Sequence, residues 1–420
     1  MIQTIPLRPG ITLRCFRDER FKHSCLSLQF LRTMCREEAA LNALIPAVLL
    51  RGTASAPDLR AITLRLDDLY GAAVGPIVRR VGDYQAAGLF ASFISDRFAM
   101  DGDQVLSPLI DFLAQLLLEP VTQDGGFCED FVSGEKKNLI SAIEARKNDK
   151  RAYASAQLFQ KMCAADTFGI PRLGTTAQVK RITREAAWAH YQTLLQESPV
   201  EIFYVGDAAP ETVAKLLQPL AEKLASAATP VAPQTPYQHS PEGEHTETME
   251  ISQGKLAMGF VTPITIRDPE FAAMQVCNIL FGGGMTSLLF MNIREKLSLC
   301  YDISSGYHGS KGILTVSAGI DCDKYDLVRS QILEQLEICK AGTFTQEQLN
   351  AAKQAVISSL RSTHDSPGSI ENYYSSANLS GLGMTPAQYR EAVEQVTAQD
   401  VSRVAATLQL HTGYFLKGVC

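Results

Sequence analysis

The sequence predicts an α+β protein built from two homologous domains, on three observations. In the first half, short alternating strand-like segments are followed by helices, more strands, then helices and a last strand, rather than a regular strand-helix alternation. The second half then repeats the first in the same order. ISDRF at 94–98 returns as IDCDKYD at 320–326, each before a leucine-rich helix. FCEDFVSGEKKNLISAIEARKNDKRAYASAQ returns in type as FTQEQLNAAKQAVISSLRSTHDSPGSIENYYSSAN, and ITREAAWAHYQTLLQESPVEIFYVGD as VTAQDVSRVAATLQLHTGYFLKG. The offset is roughly 214 to 226 residues. Finally, Pro230, Pro233, Pro236 and Pro241, among Ala, Thr, Gln and Ser, mark a linker between the halves. The domains expected are 1–222 and 246–420, with 223–245 as linker, and two such halves make a clamshell of the kind that binds ligands in its cleft.

Taken in order, Ile11 to Cys15 and Leu26 to Phe30 alternate apolar and polar residues around the charged run Arg17, Asp18, Glu19, Arg20, which predicts a hairpin. Residues 37–50 predict a helix by their Ala and Leu content, although Pro46 removes one of its backbone donors. Arg51-Gly52-Thr53 stops it. A helix over 58–69, alternating segments over 72–81 and 85–94, and a helix over 104–118 follow. Residues 129–162 form a long, charged amphipathic helix or helix pair. A helix over 183–195 and a buried strand over 200–205 complete the half.

With 420 residues the chain is long enough for two cores, and 46% hydrophobic with 20% charged residues is ordinary for a globular protein. A net charge of −6 gives no footprint for nucleic acid or an anionic membrane. The first residues, MIQTIPLRPGITLRCF, show no basic region followed by an apolar one, and no apolar run approaches the ~20 residues that span a bilayer, so a cytoplasmic location is expected. Ten cysteines are scattered without a C-x-x-C pair, which predicts reduced, mostly buried thiols and neither a zinc ribbon nor a redox dithiol.

The stretch that carries most information is 281–301, FGGGMTSLLFMNIREKLSLCY. Three glycines, Gly282, Gly283 and Gly284, imply a backbone that passes close to something or takes positive φ. From Thr286 onward Leu288, Leu289, Met291 and Ile293 supply an apolar helical face. Arg294 and Tyr301 follow seven residues apart, near two helical turns, so both can project towards one ligand. A phosphate cradle is disfavoured, because neither a Lys-Ser/Thr ending nor a spaced G-x-G-x-x-G is present. On composition alone, Arg294 reads equally well as a solvated helix residue paired with a nearby Glu.

This stretch resembles the second domain of the M16 family (insulinase, pitrilysin, mitochondrial processing peptidase), whose pattern is F-G-G-G-x-x-S-x-L-F-x-x-I-R-E-K-x-x-x-x-Y. Since M16 proteins are built from paired homologous domains, the resemblance spans essentially the whole chain. It implies an α+β fold of two LuxS-like metallohydrolase-type domains. By the same resemblance Arg294 and Tyr301, with Gly282, Gly283 and Gly284, form a substrate-binding segment.

An M16 peptidase also carries an inverted zinc motif, H-x-x-E-H, shortly before a K-G-T. Matching that K-G-T to Arg51-Gly52-Thr53 places the motif on Ala43-Leu44-Ile45-Pro46-Ala47, so two alanines stand for the histidines and a proline for the catalytic Glu. The third ligand falls on Ala142, seven residues after Glu135 and two before Glu144. Methyl groups ligate no metal. The seven histidines, His23, His190, His239, His245, His308, His364 and His411, offer no pair at ligand spacing: His239 and His245 read as solvated linker residues and His308 as a surface, hydrogen-bonded or cleft residue.

The resemblance therefore implies a pseudo-peptidase with no catalytic residue, no metal and no cofactor. It further implies that the chain binds peptide and completes the substrate site of a zinc-bearing M16 partner as a heterodimer, with a homodimer as the other assembly. A stand-alone peptide clamp or scaffold is the alternative, and a zinc peptidase with non-standard ligands a third reading.

Overall fold

The computed structural model describes residues 2–224, 237 and 240–418, so most of the expected linker, and His239 within it, lies outside the described residues. The described chain falls into two compact units that are not the contiguous halves read from the sequence. The first is Met1–Glu144, Pro171–Pro233 and His364–Ser376; the second is Ala145–Ile170, Gln234–Thr363 and Ala377–Cys420. Each half of the chain lends one helical segment to the other half's unit. No helix among the described residues is long and apolar enough to cross a membrane.

In the first unit, strands β1 (Ile2–Arg8), β2 (Ile11–Arg17) and β3 (His23–Thr33) lead to helices α1 (Ala39–Leu49) and α2 (Leu59–Asp67). Strands β4 (Ala73–Val81) and β5 (Tyr84–Ile94), helix α3 (Leu106–Leu118) and a small ribbon of β6 (Thr122–Gln123) and β7 (Gly126–Phe127) follow. Helix α4 (Glu129–Asn148) is separated by Asp149 from α5 (Lys150–Met162), and Asp149 caps α5 by accepting from the Arg151 and Ala152 N–H groups. The expected helix pair is thus present, but α5 belongs to the second unit. Helices α6 (Thr176–Arg181) and α7 (Arg184–Glu197), strand β8 (Val200–Gly206) and helix α8 (Pro210–Lys223) complete the half.

The first sheet runs β1-β2-β8-β3-β5-β4, with β2 and β8 parallel and the other pairs antiparallel. Ile11–Cys15 and Leu26–Phe30 are therefore not a hairpin. The fully buried β8 inserts between them, pairing Ile11 with Val200 on one side and Phe30 with Val200 on the other. A run buried on both faces pairs wherever its apolar surface is best covered, so adjacency in sequence did not decide the pairing. One face of this sheet packs Leu13, Leu26, Leu28 and Leu89 against Leu44, Leu109, Leu113, Leu194 and Leu217 of the helices. The opposite face meets the borrowed segment: Ile370 packs on Phe16, Cys25 and Val205, and buried Glu371 takes hydrogen bonds from Ser27 Oγ (2.7 Å), Gln29 Nε2 (3.1 Å) and Arg79 Nη1 (2.9 Å to each oxygen).

The second unit contains β9 (Gly243–Met249), β10 (Gly254–Val261), helix α9 (Phe271–Phe281), a π-helix over Leu289–Lys296, β11 (Cys300–His308) and β12 (Ile313–Ile320). Helices α10 (Tyr325–Ala341), α11 (Gln346–Ser362), α12 (Pro367–Ser380), α13 (Pro386–Gln395) and α14 (Ala398–Ala406) precede strand β13 (Gln409–Gly418). The order is β11-β12-β10-β13-β9, with only β13 and β9 parallel. Three of these helices start on capping boxes, at Thr345, Thr385 and Thr397, where a threonine and the residue three positions on satisfy each other's N–H groups.

On this sheet the borrowed helix is α5. Ala154 and Leu158 pack on Ala257, Tyr414 and Leu416, and Arg151 donates to Ser317 Oγ (2.9 Å) and lies 3.3 Å from Asp302. A fully buried Lys311–Asp166 ion pair (3.1 Å) fixes the end of the segment. Both borrowed segments are held by an ion pair to their sheet, with the charges reversed: Glu371 on the segment in one unit, Arg151 in the other.

Candidate functional site

The position where an M16 zinc motif would lie is filled. Ala43 and Pro46 on α1 are buried, and Ala47 is half-buried. Between the turns Asn42 is fully buried and knits α1 to its neighbours, donating to Gln85 Oε1 (2.9 Å) and meeting His190 Nε2 of α7 at 2.7 Å. Gln85 in turn donates to the Ala39 and Arg172 carbonyls. Burial pushes the His190 imidazole below the usual range, so it sits there as a neutral hydrogen-bonding group.

Glu135, the first acid of the degenerate motif on α4, is also engaged. Arg51 Nη1 reaches one oxygen at 3.2 Å, Asn138 the other at 3.1 Å, and the Arg51 guanidinium lies over the Phe131 ring at 5.5 Å. Ala142 and Glu144 are exposed on the same helix. Across these positions the donors are two carboxylates, one of them held by an arginine, and no imidazole, which does not fit a zinc site. Among the described residues no group of three or more His, Cys, Asp or Glu could hold a metal ion.

In the second unit the Gly282–Tyr301 segment departs from regular backbone three times. Residues Leu289–Lys296 form a π-helix, a rare state most often found at functional positions. Ser298 has φ 52°, the left-handed region that non-glycine residues seldom occupy. A β-bulge then lies between Cys300, which faces Ile320, and Asp302, which faces Gly319, leaving Tyr301 as the extra residue. Arg294 and Tyr301 are therefore not two turns apart on one helix. The helix ends at Lys296, and Tyr301 is the second residue of the edge strand β11, because the left-handed turn at Ser298 stops the helical repeat.

The glycines act by close approach and not by positive φ. A Cβ on Gly282 would come within 2.6 Å of Leu289 Cδ1 and 2.8 Å of Ser305 Oγ; one on Gly283 would come within 2.6 Å of Ile279 Cδ1. Gly284 faces open space. Two of the three glycines thus bring the chain between α9 and β11 closely enough for Ser305 N–H to reach the Gly282 carbonyl at 2.8 Å.

Arg294 is 40% exposed at its side chain, lies over the Phe290 ring at 4.6 Å and is 3.6 Å from Glu295. A local Glu thus lies near Arg294 and its guanidinium is open to solvent, as the reading of a solvated helix residue expects. Its charge also reaches the Cys300 thiol: burial and the Asp302 carboxylate push that thiol up, to about 11, and Arg294 pulls against them. Tyr301 is 60% exposed and donates to Asp321 Oδ1 at 3.0 Å, an anionic acceptor that raises the phenol above its usual range. Met285, Met291 and Leu297 of the same segment are exposed as well.

Sequence reasoning missed Asp321, which holds Tyr301, and Lys324, which holds Asp321 at 2.7 Å. IDCDKYD had registered only as a repeat, and their role follows from the pairing of β11 with β12. His308 is half-buried and hydrogen-bonded. It lies among Phe159 (4.9 Å), Phe168 (5.9 Å) and Thr315, and burial pushes its imidazole down to about 4.

Known proteins resemble this chain over nearly its whole length. Residues 181–356 match the family model described as the peptidase M16 inactive domain. The chain is therefore similar to M16 peptidase homologues. It is 29% identical over 413 residues to a probable inactive metalloprotease, YmfF, of Bacillus subtilis, covering 97% of this chain and 96% of that protein. A conserved protein from Enterococcus faecalis has the same structure with a TM-score of 0.93 at 27% identity, covering 100% of this chain and 99% of the other. A peptidase M16 inactive domain from Pseudomonas fluorescens shares the fold with a TM-score of 0.82 at 18% identity, covering 100% and 98%. This M16 homologue is of the inactive kind, with two α+β domains and a packed helix where a peptidase would hold its metal.

Proposed function

We propose that this M16 homologue binds an extended peptide at its Gly282–Tyr301 segment and completes the substrate site of a zinc-bearing M16 partner. The carrying observation is that the two side chains matched to the family's substrate-binding pair stand on irregular backbone. Arg294 sits on the π-helix and Tyr301 in the β-bulge, with Ser298 in a left-handed turn between them. Core packing does not require such features, since both side chains point to solvent. Strained or irregular backbone at exposed residues is usual where a ligand must be met. Arg294 then supplies a donor to a peptide carbonyl, worth about 3 kcal/mol if it acts at the transition state in the partner's site.

The test is a fluorogenic casein assay on the purified chain, alone and mixed with the zinc-bearing M16 chain encoded in the same genome, with metal analysis of both. Activity that needs the mixture, with no zinc on this chain, supports the proposal. Absence of any enhancement by this chain contradicts it.

A second reading, a peptide-binding protein with no proteolytic partner, is favoured by one observation: Arg294 has Glu295 beside it and Tyr301 has Asp321, so both are already held within the chain. A location in the cytoplasm and assembly with a second copy are compatible with either.

A further inference from the structure

We propose that Asp321, held by Lys324, is the positioning residue of Tyr301: it fixes the exposed ring and accepts the hydrogen bond of its hydroxyl, so that the Tyr301 oxygen meets a bound peptide as an acceptor of backbone N–H. The proposal rests on reading Arg294 and Tyr301 as a peptide site and assigns the chemistry of that site. An exposed tyrosine in a bulge ordinarily spreads over several rotamers. Here its hydroxyl donates to a carboxylate, a charge-assisted bond about twice as strong as a neutral one. The carboxylate is fixed in turn. Asp321 follows directly on the last residue of β12, and a short turn returns Lys324 to it, with Lys324 N–H on the Asp321 carbonyl (3.1 Å) and Lys324 Nζ on Oδ2 (2.7 Å).

The hydrogen count sets the consequence. A phenol has one proton and two lone pairs, and a guanidinium has donors only. With the Tyr301 proton committed to Asp321, its oxygen is left as an acceptor, while Arg294 remains a donor. That combination matches the N–H and C=O of a peptide backbone. The charges agree: Arg294 with Glu295, and Lys324 with Asp321, form two balanced pairs, suited to a neutral internal peptide segment more than to a free carboxylate terminus.

The experiment uses the full chain labelled with 3-fluorotyrosine, whose lowered pKa brings the titration into a range the fold tolerates. Fluorine NMR reads each ring, and Tyr301→Phe assigns the Tyr301 signal. Asp321→Asn keeps an acceptor and removes the charge, so the Tyr301 midpoint is expected to fall. In parallel, affinity for fluorescein-labelled β-casein is expected to drop about fivefold in Asp321→Ala and to recover in Asp321→Glu. An unchanged Tyr301 midpoint in Asp321→Asn overturns the positioning role. A shifted midpoint with casein affinity indifferent to both Asp321→Ala and Arg294→Ala leaves the positioning standing and overturns the peptide site beneath it.

Discussion

The α1–α4 region of the first unit and the Gly282–Tyr301 segment of the second, the two stretches that the resemblance matches to the zinc and substrate segments of an M16 peptidase, are built in opposite ways. In the first, alanines and a proline have joined the packed core, Asn42, Gln85 and His190 satisfy one another, and Arg51 holds Glu135. In the second, large side chains remain exposed on backbone that is neither helix nor regular strand. A region freed from catalysis relaxes into ordinary packing. The irregular backbone of the second region is what carries the proposal that it meets a peptide.

That contrast predicts that substitutions in the closed parts cost stability and those in the open segment cost binding. The largest stability effect is expected from Glu371→Ala, which strips a fully buried carboxylate from Arg79, Ser27 and Gln29. Urea unfolding should show a loss of about 3 to 4 kcal/mol. A loss below ~1 kcal/mol would mean that the borrowed segment does not close the first sheet.

Next, Ala43→His restores one zinc-ligand residue type at a position only 6% exposed. Overpacking should cost roughly 2 to 3 kcal/mol in the same assay without zinc appearing by metal analysis. Stoichiometric zinc in that single variant would show the site to be open after all.

The third effect is on pH. His308 is held neutral with its pKa near 4, below the ~6.5 of an unfolded chain, so on acidification the unfolded state takes up the proton first. Stability present above pH ~6.5 is therefore lost down to pH ~4, by about 2 kcal/mol after allowance for solvent at the edge of this half-buried ring. Urea melts between pH 7 and 4 should show a shallower decline in His308→Gln, and an identical decline would contradict the assignment.

The smallest effects belong to the open segment. Arg294→Ala and Tyr301→Phe should each shift the midpoint by less than about 0.5 kcal/mol, as exposed residues do. Ser298→Gly should stabilise by about 0.5 to 1 kcal/mol by relieving the left-handed backbone. Large losses in the two exposed residues would make them structural and erase the contrast.

Much of this was legible in the sequence. The pattern of strands and helices marked the α+β class, and the residue types standing at the zinc motif set the expectation of its loss, because ligand chemistry is set by residue type. The exchange of segments was not legible: α4 and α5 read as one amphipathic stretch, and only tertiary packing decides that Arg151 and Leu158 serve the other sheet. The β2–β3 pairing failed for a similar reason, since β8, distant in sequence, is the better partner for two strands buried on both faces. In 281–301, composition marked the residues but not the backbone. Helical spacing joined Arg294 to Tyr301, whereas a left-handed serine and a bulge separate them, and the Asp321 support depends on a strand register that no local pattern reveals.

The most direct measurement of the central claim is the casein turnover of the zinc-bearing M16 partner mixed with this chain, wild type against Arg294→Ala. The account predicts that the wild-type chain raises turnover and that Arg294→Ala lowers it about a hundredfold, with the partner's zinc content and the variant's own stability unchanged. Equal turnover with the two chains would contradict it.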